Sequence, residues 1–229
     1  MPTLTHDGEV AVLDLGDDEN RFNPTWLASF HEAHDQVDAP DAPRALVTTG
    51  TGKQYTSGLD LAYVSEDPQQ SQQRLVEVVR GAHELYARLL QAPYPTVAAI
   101  PGHAFAAGAM LSLAHDARIM RADRGFWCLP EVDLGMGFTA GMAALIQARL
   151  APQVAHQAMV TGHRFGGGDA AGAAIVDAAV PAEGVLPVAV ERARQLSVKP
   201  GEAVRVIRRE MYRPVLDALA REDVLPTAD

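Results

Sequence analysis

Apolar residues fall along this chain in two rhythms. The short runs EVAVLDL (9–15), ALVTT (45–49), TVAAI (96–100), ARIMRA (117–122), FWCL (126–129) and IVDAAV (175–180) carry Val, Leu, Ile, Ala or aromatic residues in the compact pattern of strands. Helical spacing fills the stretches between them. Asn23 can cap a helix with Pro24 at its first position, with Trp26, Leu27, Phe30 and Val37 on one side. A longer helix begins within 68–79, carries Leu75, Val78, Val79, Ala82, Leu85, Tyr86 and Leu89, and stops before Pro93. The small-residue run 104–114 predicts a closely packed helix, and further helices are expected over 139–150, 152–160, about 184–197 and 201–221. A Gly-rich turn at 166–168 leads into Asp169, expected to cap a short helix. Alternating strands and helices favour an α/β domain with helices concentrated toward the C-terminus.

Composition narrows the class. With 229 residues, 48% hydrophobic and 21% charged, the chain can bury a sizeable core as one large domain or one domain with a small appendage. Nineteen Lys plus Arg against 29 Asp plus Glu give a net charge of −10, which disfavours a general polyanion surface and hence nucleic acid as a partner. Cys128 is the single cysteine, so neither an intramolecular disulfide nor a cysteine zinc site can form. The opening MPTLTHDGEV is not a secretory signal, no stretch approaches a spanning helix, and LPTAD is not a peroxisomal tripeptide. A cytoplasmic protein without membrane association is expected.

Several motifs lead nowhere. GTGK at 50–53 lacks the flanking residues of a phosphate loop, HEAH at 31–34 spaces its histidines three apart rather than four, and no G-x-S-x-G elbow exists. No metal site is expected. Three segments keep their interest. In QYTSGLDL (54–61), Gly58 turns the backbone after a strand and can aim the N–H of Leu59 at a ligand. In GHAFAAGAM (102–110), the chain passes from strand to helix, leaving early helical N–H groups unpaired, that of Gly108 included. Two convergent amides would form an oxyanion hole, although turn chemistry alone accounts for either glycine in isolation. In WCLPEVDLG (127–135), Glu131 follows an apolar strand and Pro130, where partial desolvation would raise its pKa. A solvent-facing loop carboxylate is the simpler alternative there.

The order of SGLD (57–60), GHAFAAGAMLSLAHDARIM (102–120), PEVDLG (130–135) and TGHRFGGGDAAGAAIVDAAVP (161–181) resembles the crotonase, or enoyl-CoA hydratase/isomerase, superfamily. The stretches RADRGFWCLPEVDLGM (121–136) and NRFNP (20–24) are most similar to plant-type Δ3,Δ2-enoyl-CoA isomerases. The resemblance implies a spiral of ββα repeats over 1–182, a helical C-terminal trimerisation region over 183–229, and a homotrimer or dimer of trimers. It also implies that the amides of Leu59 and Gly108 hold the thioester oxygen of an acyl-CoA substrate. Coenzyme A would arrive as part of that substrate, with no separate cofactor.

Hydratases of this superfamily use two glutamates. One matches Glu131, whereas the other falls on Leu111, three residues after Gly108. One base suits moving a double bond better than adding water. A hydratase recruiting Asp133 or His103 is the rival enzyme, and a non-catalytic acyl-CoA-binding scaffold is the rival of another class. Trp127, Phe138 and Met142 are candidates to line an acyl pocket. Arg205 and Arg209, with Arg208 and Arg213 in the one dense basic segment, are candidates for the coenzyme A phosphates, a neighbouring subunit included. Glu202 and Glu210 could instead pair with them on a solvated helix face.

Overall fold

The computed structural model describes residues 1–38, 45–198, 201–221 and 225–226. Strand β1 (Thr3–Asp7) returns through Gly8, at φ 61°, to pair antiparallel with β2 (Val10–Asp14). Helix α1 (Pro24–Val37) then crosses to β3 (Ala45–Thr49), parallel to β2. The Asn23 side chain accepts the Trp26 N–H at 3.0 Å, as its capping role predicts, and Trp26, Leu27, Phe30 and Val37 are buried.

From β3 onward one unit repeats. Strand β4 (Gln54–Thr56) is followed by α2 (Leu61–Ser65) and α3 (Ser71–Leu90). Strands β5 (Thr96–Ile100) and β6 (His103–Phe105) precede α4 (Ala107–Leu113). Strands β7 (Ala117–Arg121) and β8 (Phe126–Cys128) precede a 3-10 turn (Glu131–Leu134), α5 (Ala140–Arg149) and α6 (Pro152–Thr161). Strand β9 (Phe165–Gly166), α7 (Gly167–Gly172) and β10 (Ala178–Val180) complete the series. From β3 to β8 the first strand of each pair joins a six-stranded sheet, β1-β2-β3-β5-β7-β10, and the second joins a four-stranded sheet, β4-β6-β8-β9, whereas in the last unit the order reverses, β9 pairing antiparallel with β8 in the smaller sheet and β10 parallel with β7 in the larger. Each turn up to β8 thus adds one strand to both sheets and then a helix, the ββα spiral that the resemblance implies.

Strand alternation divides the large sheet's side chains between two cores. Ala11, Leu13, Leu46, Ala98, Ile100 and Met120 face the main core with α1, α3 and α4. Val10, Val12, Val47, Val97, Ala99 and Ile119 face α8 (Val185–Leu196), which covers them with Val185, Ala189, Val190 and Ala193. The expected helix over 201–221 is two helices, α9 (Gly201–Met211) and α10 (Arg213–Leu219), because Pro214 cannot continue the ladder of α9. The expected helix at 104–114 gives its first residues to β6, and Asp169 lies in the first turn of α7 without capping it.

Candidate active site

Gly58, at φ +85°, ends β4 in a turn that presses against the start of α4. A Cβ at this position would lie 2.8 Å from the Ala107 nitrogen and 3.0 Å from the Phe105 carbonyl oxygen, so glycine alone permits the approach. On the other side Ala106 adopts φ 51° and ψ −126°, a strained conformation for alanine. These two turns set the amides of Leu59 and Ala107 beside one cavity. Among the described residues neither N–H donates to a protein acceptor, while the next turn begins normally with Met110 N–H on Ala106 C=O at 3.1 Å. Buried Tyr86 braces the pair from behind, its hydroxyl donating to the Ala107 carbonyl at 2.7 Å.

The cavity lining differs from the expected donor by one residue. Ala107 lines the cavity, whereas Gly108 faces β4, where a Cβ would meet the Thr56 carbonyl oxygen at 2.4 Å. Gly108 is needed for helix-to-strand packing. Leu111, where the other glutamate of a hydratase is expected to fall, is fully buried in the core, and Met110 beside it lines the cavity. Neither residue supplies an acid or base.

Glu131 opens the 3-10 turn that leaves β8 through Leu129 and Pro130. The Pro130 carbonyl accepts the N–H groups of Asp133 (3.0 Å) and Leu134 (3.3 Å), and Glu131's own carbonyl accepts that of Met136 at 2.9 Å. The backbone is thereby held in place. Glu131 is 6% exposed, and its Oε2 has no hydrogen-bond partner among the described residues. Burial pushes its pKa up to about 7, partly offset by its own backbone N–H.

The cavity has a volume of about 340 Å³. Its lining includes the polar residues Glu19, Arg21, Gln54 and Ser57 and the apolar residues Met110, Met136, Met142 and Leu225. Glu19 is exposed and paired with Arg21 at 2.7 Å, so Glu131 is the buried carboxylate of this lining. Asp133 is exposed and lies against Gly162, and His103 accepts the Phe126 N–H at 3.3 Å. Neither lines the cavity.

Of the acyl-pocket candidates, Met142 lines the cavity and the other two do not. Trp127 is fully buried between β6 and β9, its indole N–H donating to Ser112 Oγ at 3.0 Å. Phe138 is half-buried and packs on the main core. The basic segment also lies elsewhere. Arg208 is buried at the starts of β5 and β7, donating to the carbonyls of Ala92 and Tyr94 and pairing with Asp116. Arg205 and Arg209 are exposed on the same helix and do not line the cavity. Arg205 pairs with Glu202 at 2.8 Å, and Arg213 pairs with Glu210. Ala107, Met110, Tyr86 and Leu225 were not singled out as site residues from sequence, since small or apolar residues carry no chemical signature outside the fold.

A family model described as enoyl-CoA hydratase/isomerase matches residues 5–224. The chain is 35% identical to enoyl-CoA delta isomerase 3 of Arabidopsis thaliana, covering 93% of this chain and 92% of the relative. It is 34% identical to that organism's peroxisomal enoyl-CoA delta isomerase 2, covering 97% and 96%. A solved structure of a probable enoyl-CoA hydratase from Mycobacterium tuberculosis superposes with a TM-score of 0.87 at 29% identity, covering 95% of this chain and 91% of that one. A second structure of the same mycobacterial protein, described as an enoyl-CoA isomerase, gives a TM-score of 0.85 at 28% identity, covering 95% and 93%. Sequence, fold and cavity agree, and the chain belongs to the enoyl-CoA hydratase/isomerase family.

Proposed function

We propose that this protein shifts a double bond between 3-enoyl-CoA and 2-enoyl-CoA with Glu131 as the one base. The observation that carries this reading is one buried carboxylate in the described lining of the cavity, its Oε2 without a hydrogen-bond partner among the described residues, with Met110 lining the cavity from α4. Ionised Glu131 takes a C2 proton. The C–H electron pair becomes the enolate, and the thioester oxygen's negative charge is met by the N–H groups of Leu59 and Ala107. Protonated Glu131 then returns the proton to C4 as the double bond settles between C2 and C3. A pKa near 7 suits a group that acts first as base and then as acid at neutral pH.

Hydration would ask for a second group to position and activate water, and the lining offers only Glu19, exposed and held by Arg21. The names of the Arabidopsis relatives support isomerisation, although the mycobacterial protein bears both names. The reaction calls for no cofactor, since coenzyme A belongs to the substrate. Contact of Arg205 or Arg209 with its phosphates would come from a neighbouring subunit of a homotrimer or dimer of trimers. A cytoplasmic location belongs to the same proposal; among the described residues no helix is long and apolar enough to cross a membrane.

Incubation with 3-enoyl-CoA and 2-enoyl-CoA thioesters, followed by product identification, tests the reading. Interconversion of the two with little 3-hydroxyacyl-CoA is expected. Rapid 3-hydroxyacyl-CoA formation would make the protein a hydratase, and binding without turnover would make it an acyl-CoA-binding scaffold.

A further inference from the structure

We propose that Leu225 forms the wall against which the acyl chain ends, and so sets the chain length of the enoyl-CoA accepted. The inference rests on the isomerase reading for the orientation of the substrate. With the thioester oxygen at the amides of Leu59 and Ala107 and C2 to C4 at Glu131, the two ends of the substrate must share the rest of the lining, which has an exposed polar part. Arg21 stands there, its side chain 36% exposed. The lining also has a buried apolar part, in which Met142 and Leu225 are 2% and 5% exposed. Coenzyme A, bulky and charged, fits the exposed polar part, which leaves the acyl tail for the buried apolar one.

Leu225 comes from outside the ββα spiral and is held there by a specific contact. The carbonyl of its neighbour Pro226 accepts the Gly137 N–H at 2.6 Å. The Pro226 ring occupies the space a side chain at 137 would need, 3.2 Å from the Cβ position. Gly137 lies six residues beyond Glu131, so the segment carrying the base also docks the segment that closes the cavity. Of the apolar lining residues, Met136 and Met142 are unbranched and can adjust to an occupant, whereas branched Leu225 is the more rigid stop.

Binding separates this proposal from the chemistry. Affinities of saturated acyl-CoAs with four, eight and twelve carbons would be measured by calorimetry for the wild type, Leu225→Ala and Leu225→Trp, alongside kcat/KM for the 3-enoyl-CoAs of the same lengths. Leu225→Ala should raise the twelve-carbon to four-carbon affinity ratio about tenfold, through apolar contact in the space released. Leu225→Trp should lower the ratio by a similar factor with four-carbon binding little changed. Ratios within about twofold of wild type in both variants would overturn the proposal, and the opposite expected directions guard against simple loosening of the segment. Shifted ratios without double-bond movement would overturn the isomerase reading alone. Isomerisation with unmoved ratios would overturn the role of Leu225 alone.

Discussion

Arg208 and Glu131 are buried to nearly the same degree, 8% and 6% exposed, yet their surroundings treat them in opposite ways. Arg208 donates to two backbone carbonyls and pairs with Asp116, tying α9 to the starts of β5 and β7. Every contact compensates for lost water, and nothing is left to react. Glu131 has an oxygen with no partner, and burial without compensation lifts its pKa toward neutrality. Ala106, also in the cavity lining, is strained, and among the described residues the N–H groups of Leu59 and Ala107 have no protein acceptor. Burial alone therefore does not mark a functional charge. The mark is burial combined with unspent hydrogen-bonding capacity beside a cavity.

The comparison breaks first at Arg208. Arg208→Ala leaves Asp116 and two carbonyls short of a partner and should cost about 3–5 kcal/mol in urea unfolding. Protein that remains folded in the cold should retain its kcat, since the side chain lies outside the cavity. A loss under about 1 kcal/mol would show that these contacts do not hold the fold.

Glu131→Gln should act in the other direction. Because the folded pKa is raised from 4.5 to about 7, Glu131 imposes no ionisation cost below pH 4.5 and a growing one as pH rises through 7. The wild type loses that stability on the alkaline side, and Gln does not. The variant should therefore be more stable by up to about 3 kcal/mol near pH 8, with the gain vanishing toward pH 4.5. A difference that does not vary with pH would mean that the carboxylate is not desolvated in the fold.

Much of this contrast was legible in the residues. Glu131 stood out by following an apolar strand and a proline, Gly58 by the turn it forces, and both Glu131 and Leu59 line the cavity. Gly108, expected as the second amide because a glycine reads as ligand-facing backbone, is not in the cavity lining, where Ala107 stands one residue earlier. Gly108 instead makes room for Thr56, while the cavity-facing turn is made by a strained alanine. Trp127, expected as a candidate pocket residue, is fully buried because its strand is flanked by β6 and β9. Strands β4 and β6 are three residues each, too short to show an alternation. Leu225 reaches the cavity through contacts distant in sequence, which no local pattern encodes.

The most direct test of the account is the isomerisation of 3-enoyl-CoA by wild type and Glu131→Gln as a function of pH, with acyl-CoA affinity measured in parallel. The wild-type rate should rise with pH through an apparent pKa of about 7 as the base ionises. Glu131→Gln should bind acyl-CoA as tightly as the wild type and lose roughly 10²–10⁴-fold in kcat at every pH. Undiminished isomerisation by Glu131→Gln, with the same rise near neutrality, would contradict the assignment of Glu131 as the base.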